Sequence, residues 1–175
     1  MKKILKLFLY IFVFIVFFII FLPKESFYNL LEKELEKNQI IISNEIKKEK
    51  PFSFSVMNAD IFYQGSNISK VDDITFNTYL VQTKVTIKNI NFLDSLSSFA
   101  PTPINEVIFE HSIFDFNKIN IKSKGTFGEL SGYIDILKRE VKIELSASNM
   151  MKNSYNKLLQ NMKLTNERYI YEYKF

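Results

Sequence analysis

The chain has 175 residues, 47% of them hydrophobic, with 18 Phe, 9 Tyr and no Trp. Its net charge of +4 comes from lysines scattered among Glu and Asp, so there is no basic block of the kind that binds nucleic acid. Four glycines argue against Gly-rich nucleotide loops, and with no cysteine and one histidine there is neither a disulfide framework nor a zinc ligand set.

The first element is an apolar run, Ile4 to Leu22, broken only by Lys6. A bilayer core is crossed by about 20 apolar residues in a helix, which satisfies its own backbone groups in lipid. On that helix Ile4, Leu7, Phe8, Ile11, Phe14, Ile15, Phe18, Ile19 and Leu22 form the membrane anchor. Lys2, Lys3 and Lys6 precede or open it, so the positive-inside rule places Met1 in the cytoplasm and everything after Pro23 across the membrane. A cleaved signal peptide is the competing reading. Its apolar core is shorter, roughly 7–15 residues, and it ends in a small-residue cleavage site. Here the run ends in Phe21-Leu22-Pro23-Lys24-Glu25, without an Ala-x-Ala pattern, so the anchor is expected to stay. Residues 1–23 then form the anchor, 24–38 a helix and 39–175 a β-rich domain. The last part is long enough for one core but hardly for two.

Lys24 to Asn38 reads KESFYNLLEKELEKN. Ser26 with Asn29 makes a weak cap. Phe27, Leu30, Leu31 and Leu35 share a face at helical spacing, opposite Glu32, Lys33, Glu34, Glu36 and Lys37. Because both signs of charge are present, this helix is expected to cap one end of the domain rather than to lie on the membrane.

From Gln39 the period changes to 2, the period of half-buried strands. Ile40 to Ser43 starts a strand. Phe52, Phe54 and Val56 then alternate with Ser53 and Ser55, after which the apolar phase shifts to Ala59, Ile61 and Tyr63. Such a shift predicts a bulge near Met57-Asn58. Gln64 to Asn67 is a turn. Ile74 and Phe76, then Val85 and Ile87, continue the apolar alternation. Asp94 to Pro103 is a loop with a short helical turn at Leu96 to Phe99. Strands resume at Glu106 to Ile113 and Lys118 to Lys124. The glycines of Gly125 to Gly132 suggest a tight bend or sheet corner. Tyr133 to Leu137, with Ile134 inward, is the next strand. Lys138 to Glu140 turns the chain, and Val141, Ile143, Leu145 and Ala147 alternate after it. Ser148 or Asn149 caps a helix over Met150 to Met162. Tyr169, Tyr171, Tyr173 and Phe175 alternate to the last residue, which predicts a closing strand with its aromatic face buried. The expected sheet interior is thus Phe52, Phe54, Ile74, Phe76, Val85, Ile87, Ile134, Val141, Ile143, Tyr169, Tyr171 and Tyr173. The fold class is mainly β: an antiparallel, curved, open sheet with an N-terminal transmembrane helix and two amphipathic helices.

No catalytic constellation emerges. His111 sits in a strand segment where Glu110 and Ser112 face away from it, so it reads as a strand-surface residue. Asp72-Asp73 lacks the spaced oxygens of a calcium loop and reads as a turn. Asp60, Asp115 and Asp135 are isolated. The expectation is a non-enzyme without metal, cofactor or nucleic-acid partner.

Several stretches share a pattern: the anchor and Leu/Glu/Lys helix, IISNE at Ile41 to Glu45, ADIFYQG at Ala59 to Gly65, the KGTFGELSGYIDILKREVKIELSAS meander at Lys124 to Ser148, and YIYEYKF at Tyr169 to Phe175. Together they resemble the short inner-membrane proteins known as type II secretion system protein N. These are similar in turn to AsmA-like proteins, whose membrane-anchored β-sheets curve into a lipid-lined groove. The resemblance implies a bacterial inner-membrane protein with a periplasmic domain, acting as a component or assembly factor of an export machine alongside other envelope proteins. The alternative it implies is a lipid-binding or lipid-transfer module with phospholipid as ligand. No catalytic residues come with it.

Overall fold

The computed structural model describes residues 2–93, 96 and 100–175, so most of the helical turn expected at Leu96 to Phe99 lies outside the described residues. The first helix, α1 (Lys2–Phe21), is apolar all round and buries no residue against the rest of the protein. By length and composition it can cross a membrane. Phe14 stacks on Phe18, and Phe17 on Phe21, one turn apart.

The second helix, α2 (Lys24–Lys37), follows at once. Neither Ser26 nor Asn29 caps it. Its N-cap position is Pro23, and the Lys24 amide instead donates to Glu49 Oε1 at 3.1 Å. The face it buries also differs from the expected one. Tyr28 is buried, whereas Phe27, Leu30 and Leu31 are exposed. Tyr28 wins because its ring packs against Phe54, 5.3 Å between centroids, and against Phe76 at 6.3 Å.

Eleven strands form one open antiparallel sheet. They are β1 (Ile40–Ser43), β2 (Ile46–Lys50), β3 (Ser53–Tyr63), β4 (Ser66–Thr78), β5 (Gln82–Phe92), β6 (Ile104–Ser112), β7 (Asp115–Gly125), β8 (Gly128–Asp135), β9 (Glu140–Ala147), β10 (Lys163–Thr165) and β11 (Arg168–Lys174). From β3 to β9 each strand pairs with its neighbour in sequence. β11 then pairs with β9 and carries β10, while β1 and β2 both pair with β3. Strand residues alternate between faces, so this register carries the sequence alternation from strand to strand.

The phase shift in β3 is present, in an altered form. Val56 and Ala59 are both buried, three residues apart, and between them Asn58 has φ +58°. No extra residue is inserted there, because Val71 and Ile74 of β4 shift phase at the same level and keep the pairing constant. β5 repeats the shift at Asn89, φ +54°, whose side-chain amide donates to Asp72 at 2.9 Å. Asn tolerates this left-handed backbone better than most residues. Asp72-Asp73 is therefore not a turn: it lies inside β4, on this crease.

Three further expectations change. β8 begins at Gly128 rather than Tyr133, so only Thr126-Phe127 turns the chain, and Ile136 to Arg139 form the next turn. Gly128 and Gly132 lie where strands approach closely. A Cβ on Gly128 (φ +115°) would collide with the Ser146 carbonyl, and one on Gly132 with the Lys142 carbonyl. The helix expected over Met150 to Met162 is broken at Tyr155 into α3 (Asn149–Ser154) and α4 (Asn156–Leu159). Ser148 caps α3, its hydroxyl accepting from the Met151 amide at 3.1 Å.

Two apolar cores result. Tyr28, Phe54, Val56, Ala59, Val71 and Ile74 form one beneath α2. Phe127, Leu145, Met151 and Leu159 form the other beneath α3 and α4. Truncating a buried aromatic typically costs about 3–5 kcal/mol. Phe54→Ala should therefore lower the unfolding midpoint of the full chain in detergent and release α2 to protease. Phe114→Ala, at a side chain 82% exposed, should change the midpoint little, by under about 0.5 kcal/mol.

Candidate functional site

The register lays the inward-facing residues in rows across the whole sheet. One row runs Phe54, Phe76, Val85, Phe109, Ile121, Gly132, Ile143, Tyr171. The next runs Val56, Ile74, Ile87, Val107, Ser123, Leu130, Leu145, Tyr169. A third, from Thr83 through His111, Ile119, Ile134 and Val141 to Tyr173, borders them. These rows form one apolar face that extends from β3 to β11.

The other face is polar and cross-linked by charge. Lys84 and Lys122 both reach Glu110, at 3.4 and 3.8 Å; Lys124 pairs with Glu106 at 3.3 Å. Lys142 pairs with Glu172 at 3.1 Å, and Arg168 with Glu144 at 3.3 Å. Each such surface pair contributes little on its own, typically about 0–1 kcal/mol. Side by side they mark this face as the one that meets water.

Of the expected interior residues, Phe54 and Ile74 are buried, and Phe76, Val85, Ile87, Ile134, Val141, Ile143 and Tyr169 are half-buried. Three are exposed: Phe52, Tyr171 and Tyr173. Phe52 falls in the β2–β3 turn, outside the alternation. Tyr171 and Tyr173 are on the apolar side but lie beyond the cover that α3 and α4 provide, so the closing strand pairs as expected without burying its aromatic face.

Helices cover the two ends of the apolar face, and Ala100 and Pro101 of the β5–β6 connection also reach it. An open cavity of about 580 Å³ lies over β6 to β11, walled by Val107, Phe109, Ile121, Leu130, Ile143, Leu145 and Tyr171 of the sheet and by Met151, Leu158 and Met162 at the α3–α4 side. A second, of about 230 Å³, lies between α2 and the sheet, lined by Leu22, Phe27, Tyr28, Leu31, Phe54 and Phe76. Ligand pockets generally run from about 300 to 1,000 Å³ and are mostly apolar. Val107, Phe109 and Leu130 are absent from the sequence-based interior. In Glu106 to Ile113 an apolar Ile108 on the opposite face blurs the alternation, and Leu130 is hidden between glycines.

A polar joint links α1 to the sheet. The buried Lys24 ammonium donates to the Ile19 and Leu22 carbonyls at 3.2 Å each, closing the C-terminus of α1, and stands 3.8 Å from Glu49 of β2. A cation is favoured at a helix C-terminus. Beside it, the Lys47 ammonium lies 4.8 Å from the centre of the Tyr28 ring and pairs with Glu32 at 2.9 Å and Glu45 at 3.4 Å. Burial, helped by the negative charges of Glu32 and Glu45, pushes the Tyr28 phenol well above its usual range. Burial acts to lower Lys47, but its hydrogen bonds and attraction to Glu32 and Glu45 prevail and hold it above the ordinary lysine value.

Among the described residues no reacting cluster lines the cavity. His111 Nε2 lies 2.9 Å from the Phe116 carbonyl, while Glu110 is on the polar face. Asp135 is fully buried and accepts from the Lys138 amide at 2.9 Å, holding the β8–β9 turn. Among the described residues no group of three or more His, Cys, Asp or Glu could hold a metal ion. Fold and site define a class: a mainly-β protein built as one open two-faced sheet, with an apolar N-terminal helix long enough to span a membrane. Neither a family model, nor a curated protein, nor a solved structure matches the chain.

The raised Tyr28 value has a testable sign. The unfolded chain loses the phenol proton first, from about pH 10, while the folded chain keeps it. Stability should therefore fall as pH rises past 10. Tyr28→Phe should flatten that part of the curve, measured as urea midpoints between pH 8 and 11. An unchanged slope would refute the assignment.

Proposed function

We propose that the chain is a non-enzymatic, single-pass inner-membrane protein whose periplasmic sheet accepts the acyl chains of phospholipid on its apolar face. The observation that carries this reading is the 580 Å³ apolar cavity over β6 to β11, beside α3 and α4. Water gains nothing from so apolar a wall, and an exposed apolar surface of this kind marks a binding site more often than an idle one. The lysine-flanked α1 supports a source of ligand beside the site, because the same helix that can enter the bilayer ends at the smaller cavity, where Leu22 is a lining residue.

The likeness to type II secretion protein N suggests a second reading, a component of an export machine. It shares the membrane placement but rests on sequence resemblance alone, whereas the acyl-binding reading rests on the cavity. A partner protein seated on the apolar face would serve it.

Two measurements test these readings. Chain extracted from native membranes should carry phospholipid detectable by mass spectrometry. Val107→Trp and Leu130→Trp, which fill the cavity, should lower the bound lipid several-fold, and Lys122→Ala on the polar face should not. Absence of lipid from the unaltered chain, with a protein crosslinked to the apolar face in its place, would decide for the export reading. The orientation is tested separately, by fusing after Phe175 a reporter active only outside the cytoplasm. It should be active, and an inactive reporter on a stable fusion would reverse the orientation.

A further inference from the structure

The loops at the two ends of the sheet differ in kind. The end at which β3 starts and β4 finishes also carries the β4–β5 turn, the β6–β7 turn, the β8–β9 turn and the C-terminus, where the Phe175 amide donates to the Arg139 carbonyl. At this end the tips are apolar and exposed: Leu80, Ile113, Phe114, Leu137 and Phe175, with Phe114 at 82% and Leu137 at 71% exposure. At the opposite end the two-residue hairpin tips are Gln64-Gly65 and Asn166-Glu167, which are polar, and Thr126-Phe127, whose Phe is buried in the core; in the longer β5–β6 connection the described Leu93, Leu96 and Ala100 are half-buried and Pro101 is buried. Solvation alone does not account for the asymmetry. A tip facing water has no reason to carry Phe or Leu at one end and Gln, Asn or Glu at the other.

The apolar end is also the end where α1 stops. Lys24, next to the last turn of α1, meets Glu49 one residue before β2 ends. Leu22 lines the same cavity as Thr78 and Thr83, which flank the β4–β5 turn. Lys50, Arg139 and Lys174 stand among the apolar tips. Apolar and aromatic side chains with basic neighbours suit the headgroup boundary of a bilayer, where the rings and aliphatic chains enter the lipid and the cations meet phosphate.

We propose that this rim is a membrane-docking edge: the tips at Leu80, Phe114, Leu137 and Phe175 insert into the headgroup–acyl boundary of the bilayer that holds α1. The eight adjacent strands from β3 to β11 span roughly 30 Å across the sheet, so contact is made along a line rather than at the anchor alone. The sheet stands on the membrane, and its apolar face opens onto lipid at its foot. This rests on the reading of α1 as a membrane anchor and not on acyl binding in the cavity.

The chain has no cysteine, so single labels can be placed at will. Leu80→Cys, Phe114→Cys and Leu137→Cys, each carrying an environment-sensitive fluorophore, are reconstituted as the full chain into phosphatidylcholine–phosphatidylglycerol vesicles containing spin-labelled lipid. Gln64→Cys and Asn166→Cys report the opposite end, and Phe14→Cys reports the anchor. Quenching several-fold stronger at the three tips than at Gln64→Cys and Asn166→Cys is expected. Equal quenching at the two ends, with Phe14→Cys quenched, would overturn the docking edge and leave the anchor standing. An unquenched Phe14→Cys would overturn both. Loss of acyl binding on Val107→Trp has no bearing on the result, because Val107 is in the cavity and not on the rim.

Discussion

A sheet that gathers most of its apolar residues on one face must cover that face, and the rest of this structure follows from how incompletely it does so. In most domains a second layer of helices or strands closes the core. Here the residue pairing is sustained from Phe54 to Tyr171 and from Val56 to Tyr169 across eight strands, yet the helical cover among the described residues amounts to α2 at one end and two short helices at the other, with Ala100 and Pro101 of the β5–β6 connection beside the cavity. Each cover makes a small core, one around Tyr28 and Phe54 and one around Leu145 and Met151. The middle strands are stabilised by their backbone ladders and by the charge pairs on the far face.

Much of this was legible in the sequence because strand periodicity is a local signal. Ala59 out of step with Val56 announced a phase shift, though as a bulge rather than the crease found, and Ser148 announced the start of a helix. What was not legible depended on non-local partners. Tyr28 is buried rather than Phe27 because Phe54 and Phe76 meet it, and neither lies near it in the chain. Gly128 and Gly132 looked like a corner because glycine usually breaks a strand; the reason they stay within one is the approach of Ser146 and Lys142 from β9. The alternation of Tyr171 and Tyr173 gave their side correctly, but exposure depends on where the α3–α4 cover stops.

The joint at Lys24 ties these parts together. One ammonium closes the last carbonyls of α1 and approaches Glu49, while the amide of the same residue donates to that carboxylate. Such a contact links the end of α1 to the sheet at Glu49, in contrast to a Gly/Ser linker, which would behave as a random coil.

The simple strand order from β3 to β9 has one more consequence, for how the chain is made. Each of these strands pairs with the strand just before it, so every hairpin is complete as soon as its second strand is available. Contacts of this kind are close in sequence, and folding can advance like the stacking of repeats, without waiting for a distant segment to arrive. A chain delivered from its N-terminus would build the sheet outward from α2. Two pairings skip a strand: β1 pairs with β3 rather than with β2, and β11 slots between β9 and β10.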